Sequence, residues 1–459
     1  MAQIKSKPWG IKRIAVTVFS TIFLGIFSFN ANAQDEWTLE RCLTHAFDNN
    51  IQIKQSTLQQ ESARLDKTQS LAQLFPSLNA STSFNTNFGR NIDLATNSYV
   101  NEQTNSNSFY VGSSIPLFNG FRLLNSFKQS QIDMLAAEYD LQGLTNDIVM
   151  NIATAFMQVM FNEELLLVAQ EQLEITGEQL NRTQKLVDAG SLPAGNVYDV
   201  QAQMASNELQ VINMENALSA SVLTLKQLLN LQASESFRIK RPDVDLPVDG
   251  LGGKTVGTVY DHALNNWPKI KARESRLESA RKGEKIAFST YTPTLSGNAS
   301  ISTRYSSASF LGDPDPYGTQ LDQNLGESIG LNLNIPIFNG LQSRTSVHKS
   351  RLNRMNAELQ LQDEKNRLYA AVQQAYNDAN AAKRQYDASD KSVQATEKAF
   401  EYAEQRHQVG IMNTLEFNVA TNNLTRARSE ALRAKYDYIF KMKVLDFYQG
   451  KPITFDQVK

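Results

Sequence analysis

Ile115-Pro116-Leu117-Phe118-Asn119-Gly120 recurs 220 residues later as Ile335-Pro336-Ile337-Phe338-Asn339-Gly340. A fixed-offset echo marks an internal duplication, so the 459-residue chain reads as two copies of one unit rather than as unrelated domains. The hexapeptide also sits at a change of period. Before each copy apolar and polar residues alternate; after each copy runs a helix-like stretch of nearly 70 residues. The repeating unit is a strand that feeds a very long helix.

Odd and even positions separate cleanly ahead of the first copy. Leu78, Ala80, Thr82, Phe84, Thr86 and Phe88 share one face, and Ser77, Asn79, Ser81, Ser83, Asn85 and Asn87 the other. The same alternation predicts four strands, at about 77–88, 107–116, 294–305 and 327–336. Their polar faces are Ser and Asn with almost no charge, and each is long enough to cross a bilayer obliquely. Each strand is expected to meet its helix at a proline, Pro76, Pro116, Pro293 or Pro336, because proline removes a donor and disfavours helix in the residue before it. Phe75, Phe118, Tyr291 and Phe338 sit beside these prolines as an interfacial girdle would. Long polar loops, roughly 89–107 and 304–327, join the strands at the other end. Four strands cannot close a barrel, and open sheet edges are not tolerated in lipid. Several copies must therefore pool their strands, and three would give twelve.

Helices are expected at 39–74, 120–188 and 196–231, then at 256–289, 340–408 and 415–448. Each long one would reach ~100 Å. Two short helices sum to nearly one long helix, which suggests stacking them end to end along it. Met204, Val211, Leu218 and Leu225 fall seven apart, as do Leu361 and Leu368, a coiled-coil spacing. The long helices end in matched turns at offset 220: Gly190 with Asn196 six residues on, and Gly410 with Glu416 six residues on. Glycine suits a helix C-terminus and a polar residue the next first turn.

Lys5, Lys7, Lys12 and Arg13, an apolar run from Ile14 to Phe29, and Ala31-Asn32-Ala33 predict a secretory signal over 1–33. Its removal takes the formal net charge from -2 to -6, which does not suggest a nucleic-acid partner. No later stretch is expected to cross a membrane as a helix. Cys42 is the sole cysteine and reads as a small buried hydrophobe. The remaining divisions are repeat 1 over 34–231, a connector over 232–255, repeat 2 over 256–449 and a tail over 450–459. The connector, holding Phe237-Arg238-Ile239, and the tail are expected to form an equatorial collar.

Signatures of catalysis are missing: no H-E-x-x-H, C-x-x-C, P-loop or G-x-S-x-G occurs. His45 and His262 occupy matching repeat positions and read as duplicated helix-surface residues rather than metal ligands. Asp313-Pro314-Asp315 reads as a solvated turn. Gly250, Gly252 and Gly253 lie in the connector, not in a nucleotide-binding turn. The reading is of a non-enzyme with no cofactor and no metal.

Taken in order, the duplication, the I-P-[LI]-F-N-G turn, the paired glycine tips and the Ala46-Phe47-Asp48-Asn49 echo at Ala263-Leu264-Asn265-Asn266 resemble the TolC family of outer-membrane efflux factors. The resemblance covers essentially the whole chain after the signal. It implies a mixed, mostly helical fold: a homotrimeric twelve-stranded outer-membrane β-barrel, four strands per chain, continuous with a long periplasmic α-helical coiled-coil barrel. It further implies a channel component of a tripartite efflux or type I secretion system. The partners implied are outer-membrane lipid, a periplasmic adaptor (membrane fusion protein) and an inner-membrane transporter of the RND, ABC or MFS type. The implied docking and aperture tips are Gly190, Asn196, Gly410 and Glu416; the strand–helix junctions are Pro76, Pro116, Gly120, Pro293, Pro336 and Gly340. Relatives often carry aspartate where this chain has Asn196 and Glu416. The rival reading is a periplasmic coiled-coil adaptor or spacer that forms no channel.

Overall fold

A computed structural model describes residues 36–454 apart from 94–97, 102, 233, 235, 242–249 and 308–314. The expected signal, Asp313 and part of the connector and tail lie outside the described residues. The chain folds as α1 (Leu39–Asn49), α2 (Ile51–Ala72), β1 (Ser77–Asn87), β2 (Arg90–Asp93), β3 (Ser98–Asn101), β4 (Thr104–Phe118), α3 (Arg122–Asp188) and α4 (Gly195–Leu228). The second half repeats the plan as α5 (Val256–Asn266), α6 (Pro268–Phe288), β5 (Thr294–Ser306), α7 (Tyr317–Gln323), β6 (Gly326–Asn334), α8 (Gln342–Gln408) and α9 (Thr414–Tyr448).

The four long strands form one antiparallel sheet in the order β1-β4-β5-β6. Its register gathers the apolar residues on one face: Ala80 pairs with Val111, Val111 with Ile301, Ala299 with Ile329 and Leu295 with Leu333. The opposite face is a sheet of hydroxyls and amides, with Ser83 and Ser108 bonded at 2.7 Å and Ser300 and Ser328 at 2.8 Å. The apolar face is open, and Ile329 is 92% exposed.

Two helices expected to be continuous are broken. The segment expected over 39–74 stops at Asn49, and Asn50 turns extended to accept from the backbone N–H of Gln52 and Ile53, starting α2 afresh. The apolar spacing keeps phase through this break, so periodicity alone cannot reveal it. The segment expected over 256–289 breaks at Trp267 for a stronger reason. Pro268 stands at the first position of α6 and forces its predecessor out of helix. The loops at the far strand ends are also more ordered than expected: β2 pairs with β3 in the first, and α7 forms in the second. Gln320 of α7 bonds both the N–H and the C=O of Ser306, acting as one more strand residue there.

The long helices carry the short ones end to end. In the strand-proximal half α2, α3, α6 and α8 pack side by side in that order; in the distal half the order is α4, α3, α9, α8. The joint between halves holds the main core, where Leu39, Cys42 and Ala46 of α1 meet Ile152, Phe156 and Met160 of α3, Leu225 of α4, Ile239 and Ile453. One eighteen-residue window of α3 has a mean hydropathy of 1.4, high enough to cross a bilayer by composition, which the sequence reading did not anticipate. Half of it is buried inside the protein, so its apolarity serves this core. Connector and N-terminus are stitched there: Trp37 and Ile239 form a parallel bridge, Trp37 N–H donating to Arg238 O at 2.8 Å.

Candidate functional site: elbows and tips

At both elbows two consecutive residues are left-handed, Gly120 (φ 63°) with Phe121 (φ 61°), and Gly340 (φ 63°) with Leu341 (φ 68°). Such a pair reverses the chain from sheet into helix within two residues, and a glycine in the first place avoids one Cβ penalty. Asn119 and Asn339 then receive the helix: their Oδ1 atoms accept from Leu123 N–H at 3.3 Å and Ser343 N–H at 3.5 Å. The N-G of the duplicated hexapeptide is thus a turn-and-cap device. The prolines are less uniform than expected. Pro76 and Pro293 directly precede β1 and β5, whereas Pro116 lies inside β4 beside a bulge and Pro336 falls two residues beyond β6.

At the opposite end, Gly190 (φ 70°) and Gly410 (φ 76°) close α3 and α8. Ser191 N–H donates back to Leu186 O at 2.8 Å and Ile411 N–H to Arg406 O at 2.9 Å, so both ends are satisfied by the same left-handed cap. Asn196 and Glu416 fall in the first turns of α4 and α9. Glu416 is not the cap: Asn413 is, its Oδ1 accepting from Glu416 N–H at 2.8 Å. The second tip is further braced by His407, which stacks on Phe417 at 4.5 Å between centroids.

Behind the tips α3, α4 and α9 are joined by amides and hydroxyls. Asn207 donates to Thr176 Oγ1 at 2.8 Å inside the bundle, Gln203 and Asn422 exchange bonds at 3.3 and 3.4 Å, and Thr425 donates to Gln172 Oε1 at 2.6 Å. Sequence reading missed this ladder, because scattered Gln, Asn and Thr on long helices resemble solvent-facing positions. Its one visible signal is that Gln203 and Asn422 lie 219 residues apart, nearly the repeat offset.

Among the described residues no three His, Cys, Asp or Glu side chains converge to hold an ion. His45 contacts Asn49 Nδ2 at 3.3 Å and the edge of Trp37, a packed helix-surface position.

A two-faced sheet with open edges, elbows on one level and a rod of stacked helices define a membrane-anchored conduit subunit. The family described as outer membrane efflux protein matches residues 43–231 and 259–448, the two repeats, and the chain belongs to it. Outer membrane protein TolC of Escherichia coli is 25% identical over 352 residues, covering 74% of this chain and 68% of that protein. TolC of Salmonella enteritidis is 24% identical over 307 residues, covering 66% of this chain but only 61% of its own length. The solved structure of CusC superposes with a TM-score of 0.77 at 18% identity, covering 90% of this chain and 92% of that one, and shares the fold.

Proposed function

We propose that three copies form an outer-membrane channel that conducts substrates passively from a periplasmic adaptor and an inner-membrane transporter to the exterior. The observation that carries this is a shared order. β1 and β6 are the open edges of the sheet, and α2 and α8, which adjoin them in sequence, are the open edges of the strand-proximal helical layer. Both edge helices carry exposed apolar seams: Ile51, Leu58 and Leu65 at seven-residue spacing on α2, Leu352, Met355 and Leu359 on α8. Setting α8 of one copy on α2 of the next also sets β6 beside β1, so one rotation closes both layers. The apolar strand face then meets lipid and the Ser/Asn face lines the lumen. The chain itself does no covalent chemistry, and energy comes from the transporter. Gly190, Asn196, Gly410 and Glu416 mark the end that meets the adaptor.

The test is fractionation followed by mass measurement of the purified protein and single-channel recording. An outer-membrane trimer with steady conductance supports the proposal; a monomer released with the periplasmic contents overturns it.

A further inference from the structure

Just inside the elbows each of the four strand-proximal helices carries a cation on the same face as an exposed apolar residue nearer the sheet. On α2 these are Lys67 and Leu71, on α3 Lys128 and Leu124, on α6 Lys285 and Phe288, on α8 Arg344 and Leu341. Three- and four-residue spacing stacks the first three pairs along their helices, while Leu341 is the exposed left-handed residue that immediately precedes α8 on its membrane side. In every case the apolar member points toward the membrane end and the cation away from it, although two of the helices run up and two run down. The faces are also those turned away from the neighbouring helices. On α3 the adjacent positions are taken by Gln129, which donates to Ser279 of α6, and Ser130, which bonds Ser70 of α2. On α8, Ser343 and Val347 are buried instead.

Several carboxylates in this band are already engaged. Glu61 holds Arg64, Glu278 holds Arg281 and Lys282, and Glu284 holds both Arg351 and Arg354. Asp66 lies near Asp133, whose carboxyl is raised mainly by burial and in part by Asp66 itself. Lys67, Lys128, Lys285 and Arg344 form no ion pair with any described residue. They lie within about ten residues of the strand ends, ~5–15 Å along the helices. That is the depth of lipid phosphates below an aromatic girdle, which Phe118, Phe121, Phe288, Tyr291 and Phe338 supply here.

We infer that Lys67, Lys128, Lys285 and Arg344 form a cationic belt that binds the phosphate headgroups of anionic phospholipid in the periplasm-facing leaflet. The inference rests on the membrane channel proposed above. In a closed trimer the belt comprises twelve cations in one ring, each able to reach a headgroup while its stem lies on the apolar surface.

The trimer is reconstituted in phosphatidylcholine vesicles with spin-labelled phosphatidylglycerol or spin-labelled phosphatidylcholine as probe, and the motionally restricted lipid is measured at low and high salt. The native protein should hold the anionic probe roughly fivefold more strongly per contact at low salt, the size expected of one juxtamembrane cation, and lose that preference at high salt. The variant K67Q/K128Q/K285Q/R344Q should show none, while K67R/K128R/K285R/R344K, which keeps every charge, should retain it. Equal retention of the two probes by the native protein overturns the belt, as does a preference that survives in the glutamine variant. A protein that does not enter the vesicles at all contradicts the membrane channel itself, a distinct failure.

Discussion

Gly120 lies directly against Thr292, close enough that a Cβ on the glycine would overlap the threonine Oγ1; at the duplicated Gly340 the same space is empty. The two elbows share their backbone turn but not their surroundings. Gly340→Ala therefore meets only the left-handed φ, a cost of about 1–2 kcal/mol. Gly120→Ala adds a collision with the segment linking α6 to β5. Thermal unfolding of the protein should place Gly120→Ala well below Gly340→Ala, and Thr292→Ala should restore most of the difference. Equal destabilisation by the two alanines would show that the contact is unimportant.

The joint between α2 and α4 gives a second expectation. Asn50 Nδ2 donates to Leu228 O at 3.1 Å while its Oδ1 caps α2, and Asn230, left-handed at φ 56°, donates to Asn49 O at 3.0 Å. The two asparagines clasp the end of one helix to the start of another. Asn50→Ala should cost about 2–3 kcal/mol, the sum of a lost cap and an unsatisfied carbonyl. Asn50→Asp keeps the cap but sets a carboxylate oxygen against Leu228 O in place of the donor. Amide exchange at Gln52 and Ile53 should accelerate in the alanine variant and stay slow in the aspartate variant.

This joint also shows where the sequence could be read and where it could not. The two faces of each strand were legible because Ser and Asn recur at alternate positions along it. The elbows were legible because the same six residues occur twice. Asn50 was not, since an asparagine before Ile51 disturbs no apolar period. In the second repeat the equivalent joint is built from different forces. Trp267 packs on Tyr448 at 5.1 Å and on Phe447 at 5.9 Å, and Pro268 makes the break. Pro268 is a readable helix-start signal, and the break there could have been found from it. Duplication conserves the path of the chain, not the interactions that hold it. Comparing the repeats therefore locates the joint without disclosing the clasp. The polar ladder of Asn207, Gln203 and Asn422 was hidden for a related reason: amides on a helix look alike whether they face water or each other.

Cys42 has no exposed surface, and burial pushes its thiol up from 9.0 to about 12. In the folded protein it should resist alkylation at pH 8 and react only on unfolding, so it reports opening of the main core. The sign of its pH effect follows from proton counts. Above about pH 9 the unfolded thiol loses its proton while the folded one keeps it, so stability falls between pH 9 and 12 by up to ~1.4 kcal/mol per unit. Denaturant titrations at pH 8 and pH 10.5 should show a shallower alkaline loss in Cys42→Ala than in the native protein.

The tips test the channel directly. Gly190 and Gly410 are left-handed, and a Cβ at either would meet nothing within 4 Å, so these glycines serve the turn and leave open surface around it. Asparagine tolerates that conformation better than other residues, so Gly190→Asn and Gly410→Asn should keep both fold and export. Arginine adds bulk and charge at a cost of about 1–2 kcal/mol, small beside the packing along two 67-residue helices. If these ends receive the adaptor, Gly190→Arg and Gly410→Arg should abolish export while the proposed trimer still forms in the outer membrane. The readouts are substrate accumulation in cells and crosslinking to the adaptor, with trimer yield as the control. Full export in both arginine variants would move the docking surface away from the tips, and loss of trimer in the asparagine variants would reduce these glycines to a folding role.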